Sequence, residues 1–145
     1  MIRLRPHHFL CILTFIGKGY SQNFVRNYQA IIDRINKGER QIMIVEGPDD
    51  ICRPRLLETN QNHHCLEDRI TGRDETALLD LQTFFPGHNF AASNIVSLSE
   101  DLISNLRIRF HSGDIRKACK GCEWFALCNS IRDDNFQKAK LSSLK

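Results

Sequence analysis

The chemistry-bearing feature of this chain is the run Cys119-Lys-Gly-Cys122, followed by Glu-Trp-Phe-Ala-Leu-Cys128. Two cysteines separated by two residues can aim both thiolates at one point from a single turn. Gly121 relieves the backbone where it bends, and Cys128 reaches the same point after a helical turn. Zinc and iron–sulfur clusters both take four such ligands. The remaining ligand must come from afar, and Cys52 and Cys65 lie in a stretch without periodicity. Five cysteines, Cys52, Cys65, Cys119, Cys122 and Cys128, therefore compete for four positions. The plainer reading is that they are buried small hydrophobes. A disulfide between Cys52 and Cys65 is the lesser rival, because thiols stay reduced inside cells.

Charge does not separate the metals. Four thiolates on one zinc ion leave a net charge of −2, and an oxidised four-iron cluster leaves the same. Arg107, Arg109, Arg116, Lys117 and Lys120 stand against Asp114 alone over residues 107–120. That excess fits an anionic site and equally fits a solvated helix face. Trp124 and Phe125 would give the site an apolar lid, which matters more for tuning a redox cluster than for a structural zinc.

A second polar group stands near the N-terminus. His7 and Cys11 are four residues apart and can share a helix face, with His8 beside them. A Cys–His pair can activate a thiolate nucleophile, so Cys11, His7 and His8 are weak catalytic candidates. The alternative is that the histidines cap the helix start and Cys11 packs in the core. Arg5 is placed to support a metal site from behind its ligands. Lys18 and Tyr20, on a glycine-rich turn, could bind an anion, although the glycine spacing is not that of a phosphate loop. His63 and His64, next to Cys65, are mixed-site ligands or simply exposed. No paired carboxylates, nucleophile elbow or dinucleotide fingerprint names a reaction.

The elements that must hold these residues follow from periodicity. The chain has 145 residues, 41% hydrophobic and 26% charged, with a net charge of +3. That is ordinary for a soluble domain. A chain of this size buries roughly 68–70% of its unfolded surface, so it needs no metal merely to own a core. The mild charge permits nucleic-acid binding without arguing for it.

The apolar run from Phe9 to Ile16 is too short to cross a bilayer and leads into no small-residue cleavage site. It reads as a short buried helix of a cytoplasmic protein, started by Pro6 and ended by Gly17 and Gly19. Ser21 caps a second helix whose Phe24, Val25, Tyr28, Ile31, Ile32 and Ile35 form one stripe. Residues 41–46 read as a strand, followed by a turn at Gly47-Pro48-Asp49-Asp50. Residues 51–72 form a long loop that a ligated metal would tie down. A third helix spans about 73–84, with Ala77, Leu78, Leu81 and Phe84 inward. A partner strand is sought within 88–96. Ser97 and Glu100 have capping-box spacing before a fourth helix carrying Leu102 and Leu106. Asp114 caps a short helix leading to Cys119.

The sequence also carries a resemblance. Arg5-Pro6-His7-His8-x-Leu10-Cys11, Phe15-x-Gly17-Lys18-Gly19-Tyr20-Ser21, Asp49-Asp50-Ile51-Cys52 and Cys119-x-x-Cys122-x-Trp124 together resemble the prokaryotic domain of unknown function 1284 family. That family is described as iron–sulfur binding, so the resemblance implies a cofactor and no reaction. The family pattern places a second cysteine three residues after the one matching Cys52. Here Arg55 stands in that position, after Pro54. The resemblance then implies that Cys65 completes the set, or that this member holds zinc or an empty site.

The expected fold is α+β and mainly helical. About four helices surround a small β element, and a Cys-rich metal-type site joins the central loop to the C-terminal region. Residues 1–128 form a single domain, with 129–145 a polar, fraying tail. The expected function is iron–sulfur binding with an electron-transfer or sensing role and a protein redox partner. A zinc-stabilised protein- or nucleic-acid-binding module and a thiol enzyme using Cys11 are the alternatives; nucleic acid and membrane are disfavoured as partners.

Overall fold

Three short strands place their apolar residues in register, and everything else is built on the face they share. The structure is a computed structural model and describes residues 1–19, 21–54, 68–120, 122 and 124–142. β1 (Ile2–Leu4) pairs in parallel with β2 (Gln41–Ile44), aligning Ile2 with Ile42 and Leu4 with Ile44. β3 (Ile95–Ser97) pairs antiparallel with β2 and sets Val96 against Ile42. The sheet order is β1-β2-β3. Ile2, Leu4, Ile42, Ile44 and Val96 are all buried. The alternate residues Arg3, Gln41, Ile95 and Ser97 are exposed, which is the pattern of a sheet covered on one face.

Five α-helices lie among the described residues, four of them long enough to cover that face. α1 (His8–Cys11) is a single turn, entered by N–H bonds back to Arg5, Pro6 and His7. α2 (Gln22–Asn36) starts where Ser21 Oγ accepts from Phe24 N, and buries Phe24, Tyr28, Ile31, Ile32 and Ile35. Its stripe and its cap match the periodicity. α3 (Asp68–Phe84) begins earlier than expected and buries Ala77 and Leu81. α4 (Glu100–Ser112) buries Leu102, Ile103, Leu106 and Phe110 and stops at Gly113, whose φ of +87° suits a residue without Cβ. A 3-10 turn (Lys117–Cys119) and α5 (Phe125–Asp133) complete the order.

The α+β, mainly helical class with a small sheet is what the sequence implies; several local details differ. β1 had no sequence signal, because three residues are too few to show alternation. The cap of α4 is Ser99, whose Oγ accepts from Leu102 N; Ser97 instead ends β3. Asp114 does not cap a helix but pairs with Arg109 at 2.9 Å.

The C-terminal stretch is the largest correction. α5 runs through Cys128, so no boundary falls there. Ile131, Phe136 and Leu141 are buried, and Lys140 N donates to Phe15 O at 2.8 Å. Widely spaced apolar residues in a polar segment carry no period, yet each fills a place on the core. The Phe136 ring lies 5.7 Å from that of Phe110, and Arg107 donates to the Leu141 carbonyl at 2.6 Å.

Candidate metal centre

Residues remote in sequence meet in one cavity of about 130 Å³. Its wall includes Cys11 from α1, Cys119 from the 3-10 turn, Cys122, and Cys128 from α5. Cys52 also lines it. Among the described residues no carboxylate lines the cavity, whereas Arg5, Lys18, Arg73 and Arg116 do, with His7 and His8.

Cys11 does not stand apart from the C-terminal run, as its sequence position had implied. Burial pushes its thiol well above the ordinary range, and the charges of Cys122, Cys119 and Cys128 push it further. Those three are therefore its electrostatic neighbours. Burial also raises the thiols of Cys119 and Cys128, opposed at Cys119 by the charge and a hydrogen bond of Arg116, and at Cys128 by a hydrogen bond with Thr14 and the Arg116 charge. Thr14 Oγ1 lies 3.1 Å from Cys128 Sγ. A half-buried Cys11 with a raised thiol pKa is the opposite of what a thiolate nucleophile needs.

The two histidines are held by carboxylates that the sequence did not single out. Asp49 Oδ2 lies 2.6 Å from His8 Nδ1 and also accepts from Arg5 N at 2.8 Å. Asp49 Oδ1 accepts from the N–H groups of Ile51 and Cys52 at 3.0 and 3.1 Å. Burial works against the Asp49 charge, but His8 and these donors hold its carboxyl below the ordinary range. Asp74 Oδ1 lies 2.6 Å from His7 Nδ1, and Asp74 Oδ2 accepts from Arg5 Nε at 2.7 Å. Burial, the neighbouring His8 and Arg5 together outweigh Asp74 and lower the His7 pKa to about 4.

Each histidine thus has one ring nitrogen fixed by a carboxylate and the other left to face elsewhere, the arrangement that orients metal-ligating or proton-handling imidazoles. Asp49 and Asp74 come from a turn and from α3, 41 and 67 residues from their histidines. No spacing rule links positions so far apart.

Arg5 is completely buried, and its Nη1 also reaches Cys52 Sγ at 3.8 Å. Cys52 therefore sits on the Arg5–Asp49 side of the cavity. Lys18 and Trp124 line the cavity mouth as well as a neighbouring open groove. Gly19 sits at that mouth because a Cβ there would come within 2.6 Å of the Phe24 ring. Tyr20, Arg55, His63, His64 and Cys65 lie outside the described residues.

The ligand atoms of His7, His8 and Cys11 all lie within 4.8 Å of one another, as do those of His8, Asp49 and Cys52. The second set is already satisfied by hydrogen bonds to Asp49. Among the described residues no three of the thiols close to that separation. Residues 107–117 do not form an exposed basic strip: Arg107 and Arg116 are turned inward and Arg109 is paired with Asp114.

Comparison with protein families gives a match to the family described as "Protein of unknown function (DUF1284)", over residues 19–128. The chain belongs to that family. The match covers α2, α3, α4 and the C-terminal cysteine run, while His7, His8 and Cys11 precede it. Comparison with curated proteins and with solved structures gives no match. No helix among the described residues is long and apolar enough to cross a membrane.

Proposed function

We propose that this protein holds an iron–sulfur cluster on Cys11, Cys119, Cys122 and Cys128, and that it serves in electron transfer or sensing. One observation carries the reading: Cys11, from the first helix, lines the same cavity as the whole C-terminal cysteine run. That makes four thiols without calling on the central loop. The Arg55 substitution then removes no ligand from this set. Cys52, held by Arg5, is then left out of the ligand set, and so is Cys65.

The spacing of the thiols favours a cluster over a single ion. With Zn–S bonds of about 2.3 Å, tetrahedral ligands stand only about 3.8 Å apart. Thiolates on the corners of a four-iron cluster are spread more widely, in keeping with thiols that share a cavity without closing on one another. A bound cluster would supply one-electron chemistry. The chain's part is to exclude water with Phe15, Phe24 and Tyr28, and to surround an anionic group with cations.

Protein purified anaerobically should contain iron and acid-labile sulfide. Cys11→Ser should lose both as completely as Cys122→Ser, while Cys52→Ser keeps them. Colourless protein without iron or sulfide would refute the reading. A second reading, zinc on His7, His8 and Cys11, is favoured by their ligand atoms lying within 4.8 Å. It predicts stoichiometric zinc that is lost in His7→Ala and retained in Cys122→Ser.

A further inference from the structure

Arg116 is an anomaly unless an anion sits beside it. Its side chain is buried, with only 6% of the residue exposed. The guanidinium lies over the rings of Phe110 and Phe125, 4.4 and 4.6 Å from their centroids. Nη1 donates to Asn129 Oδ1. Nε and Nη2 are buried and find no nitrogen or oxygen acceptor among the described residues, while the Cys119 thiol interacts with the guanidinium. No carboxylate among them pairs with it either.

A buried cation is costly unless it is paired. Aromatic faces satisfy the two flat sides of a guanidinium but not the N–H groups on its edge. Arg5, by contrast, has its charge met by Asp74. Arg116 lines the cavity together with Cys119, three residues along the same turn.

We propose that Arg116 is the counter-cation of the thiolate-bound centre, and that it sets the reduction potential of that centre as a positioning residue. The proposal rests on the iron–sulfur reading above. Phe110, Phe125 and Asn129 fix the guanidinium, so its unused donors stay aimed rather than turning to solvent. Reduction adds one negative charge to a centre that is already anionic. A fixed cation, in a site that no carboxylate lines among the described residues, stabilises the reduced form more than the oxidised one.

The test uses the full chain, purified anaerobically with its cluster, and compares Arg116→Gln, Arg116→Met and Arg116→Lys. Iron and sulfide are measured first, then the midpoint potential. The neutral variants should reduce about tenfold less favourably, a shift of about 59 mV to more negative potential for a one-electron couple. Arg116→Lys, which keeps the charge, should restore most of that shift. Neutral variants that lose iron while Arg116→Lys keeps it would support the same role. Neutral variants with full iron and the wild-type potential would overturn it, and so would a lysine variant that falls as far as glutamine. Wild-type protein lacking iron would remove the cluster reading itself, a result visible before any potential is measured.

Discussion

Asp49→Ala is the sharpest probe of how the site is held. The Asp49 side chain is completely buried and accepts four hydrogen bonds, from Arg5 N, Ile51 N, Cys52 N and His8 Nδ1. Removing it leaves Cys52 N with the Asp49 backbone carbonyl at 3.1 Å. Arg5 N, Ile51 N and His8 Nδ1 lose the acceptor. At roughly 1–3 kcal/mol for each of the three buried donors left unsatisfied, the sum is about 3–9 kcal/mol; single substitutions seldom cost more than about 5 kcal/mol, so the loss should be about 3–5 kcal/mol.

With a urea m value of about 2 kcal/mol/M, the unfolding midpoint should fall by about 1.5–2.5 M at unchanged m. Asp49→Asn keeps one oxygen for Ile51 N and should lose about half as much. The pH dependence adds a sign. Asp49 has its folded pKa depressed, so its contribution is full above about pH 4 and is lost as the pH falls through the folded pKa. The gap between wild type and Asp49→Ala should therefore narrow in acid. Equilibrium unfolding followed by circular dichroism, at matched cofactor content, measures all three. A loss below about 1 kcal/mol at pH 7 would refute the accounting of buried donors.

Two other outcomes follow from the same geometry. His7 has its folded pKa lowered to about 4, so between about pH 6.5 and 4 the unfolded chain takes up a proton that the folded protein refuses. Stability should fall as the pH drops through that window, by on the order of 3 kcal/mol. His7→Gln should flatten the slope in pH-dependent unfolding; an unchanged slope would show that His7 is not kept neutral. Deleting residues 134–145 removes buried Phe136 and Leu141, each worth about 1.5–3 kcal/mol. A stability loss of about 3–6 kcal/mol is expected in urea unfolding; a truncated chain as stable as wild type would restore the fraying-tail expectation.

Much of the framework was legible along the chain because it rests on local rules. The stripe of α2 follows from a period that five isoleucine and aromatic positions share, and its start follows from Ser21. The C-x2-C-x5-C spacing named a ligand cluster because a turn and a short helix are enough to aim three thiols. Local rules also misplaced details. Ser97 and Glu100 fit a capping box, but the β3 ladder claimed Ser97 and left Ser99 to cap the helix.

What no local rule carried were the partnerships. Cys11 looked like a companion of His7 and His8, since His7 and Cys11 are four residues apart; only the tertiary fold brings it to one cavity with Cys119, Cys122 and Cys128. Asp49 read as part of a turn and Asp74 as one charge among many on α3. Burial turned them into the carboxylates that fix both histidines. Arg116 read as one cation in a basic stretch, and two phenylalanines enclose it beside the cavity. The sequence by itself determined the residue types, the helix faces and the clustered thiols, because these depend on neighbours along the chain. The tertiary structure decided which thiols, carboxylates and cations share a cavity, because burial and charge pairing depend on distance in space.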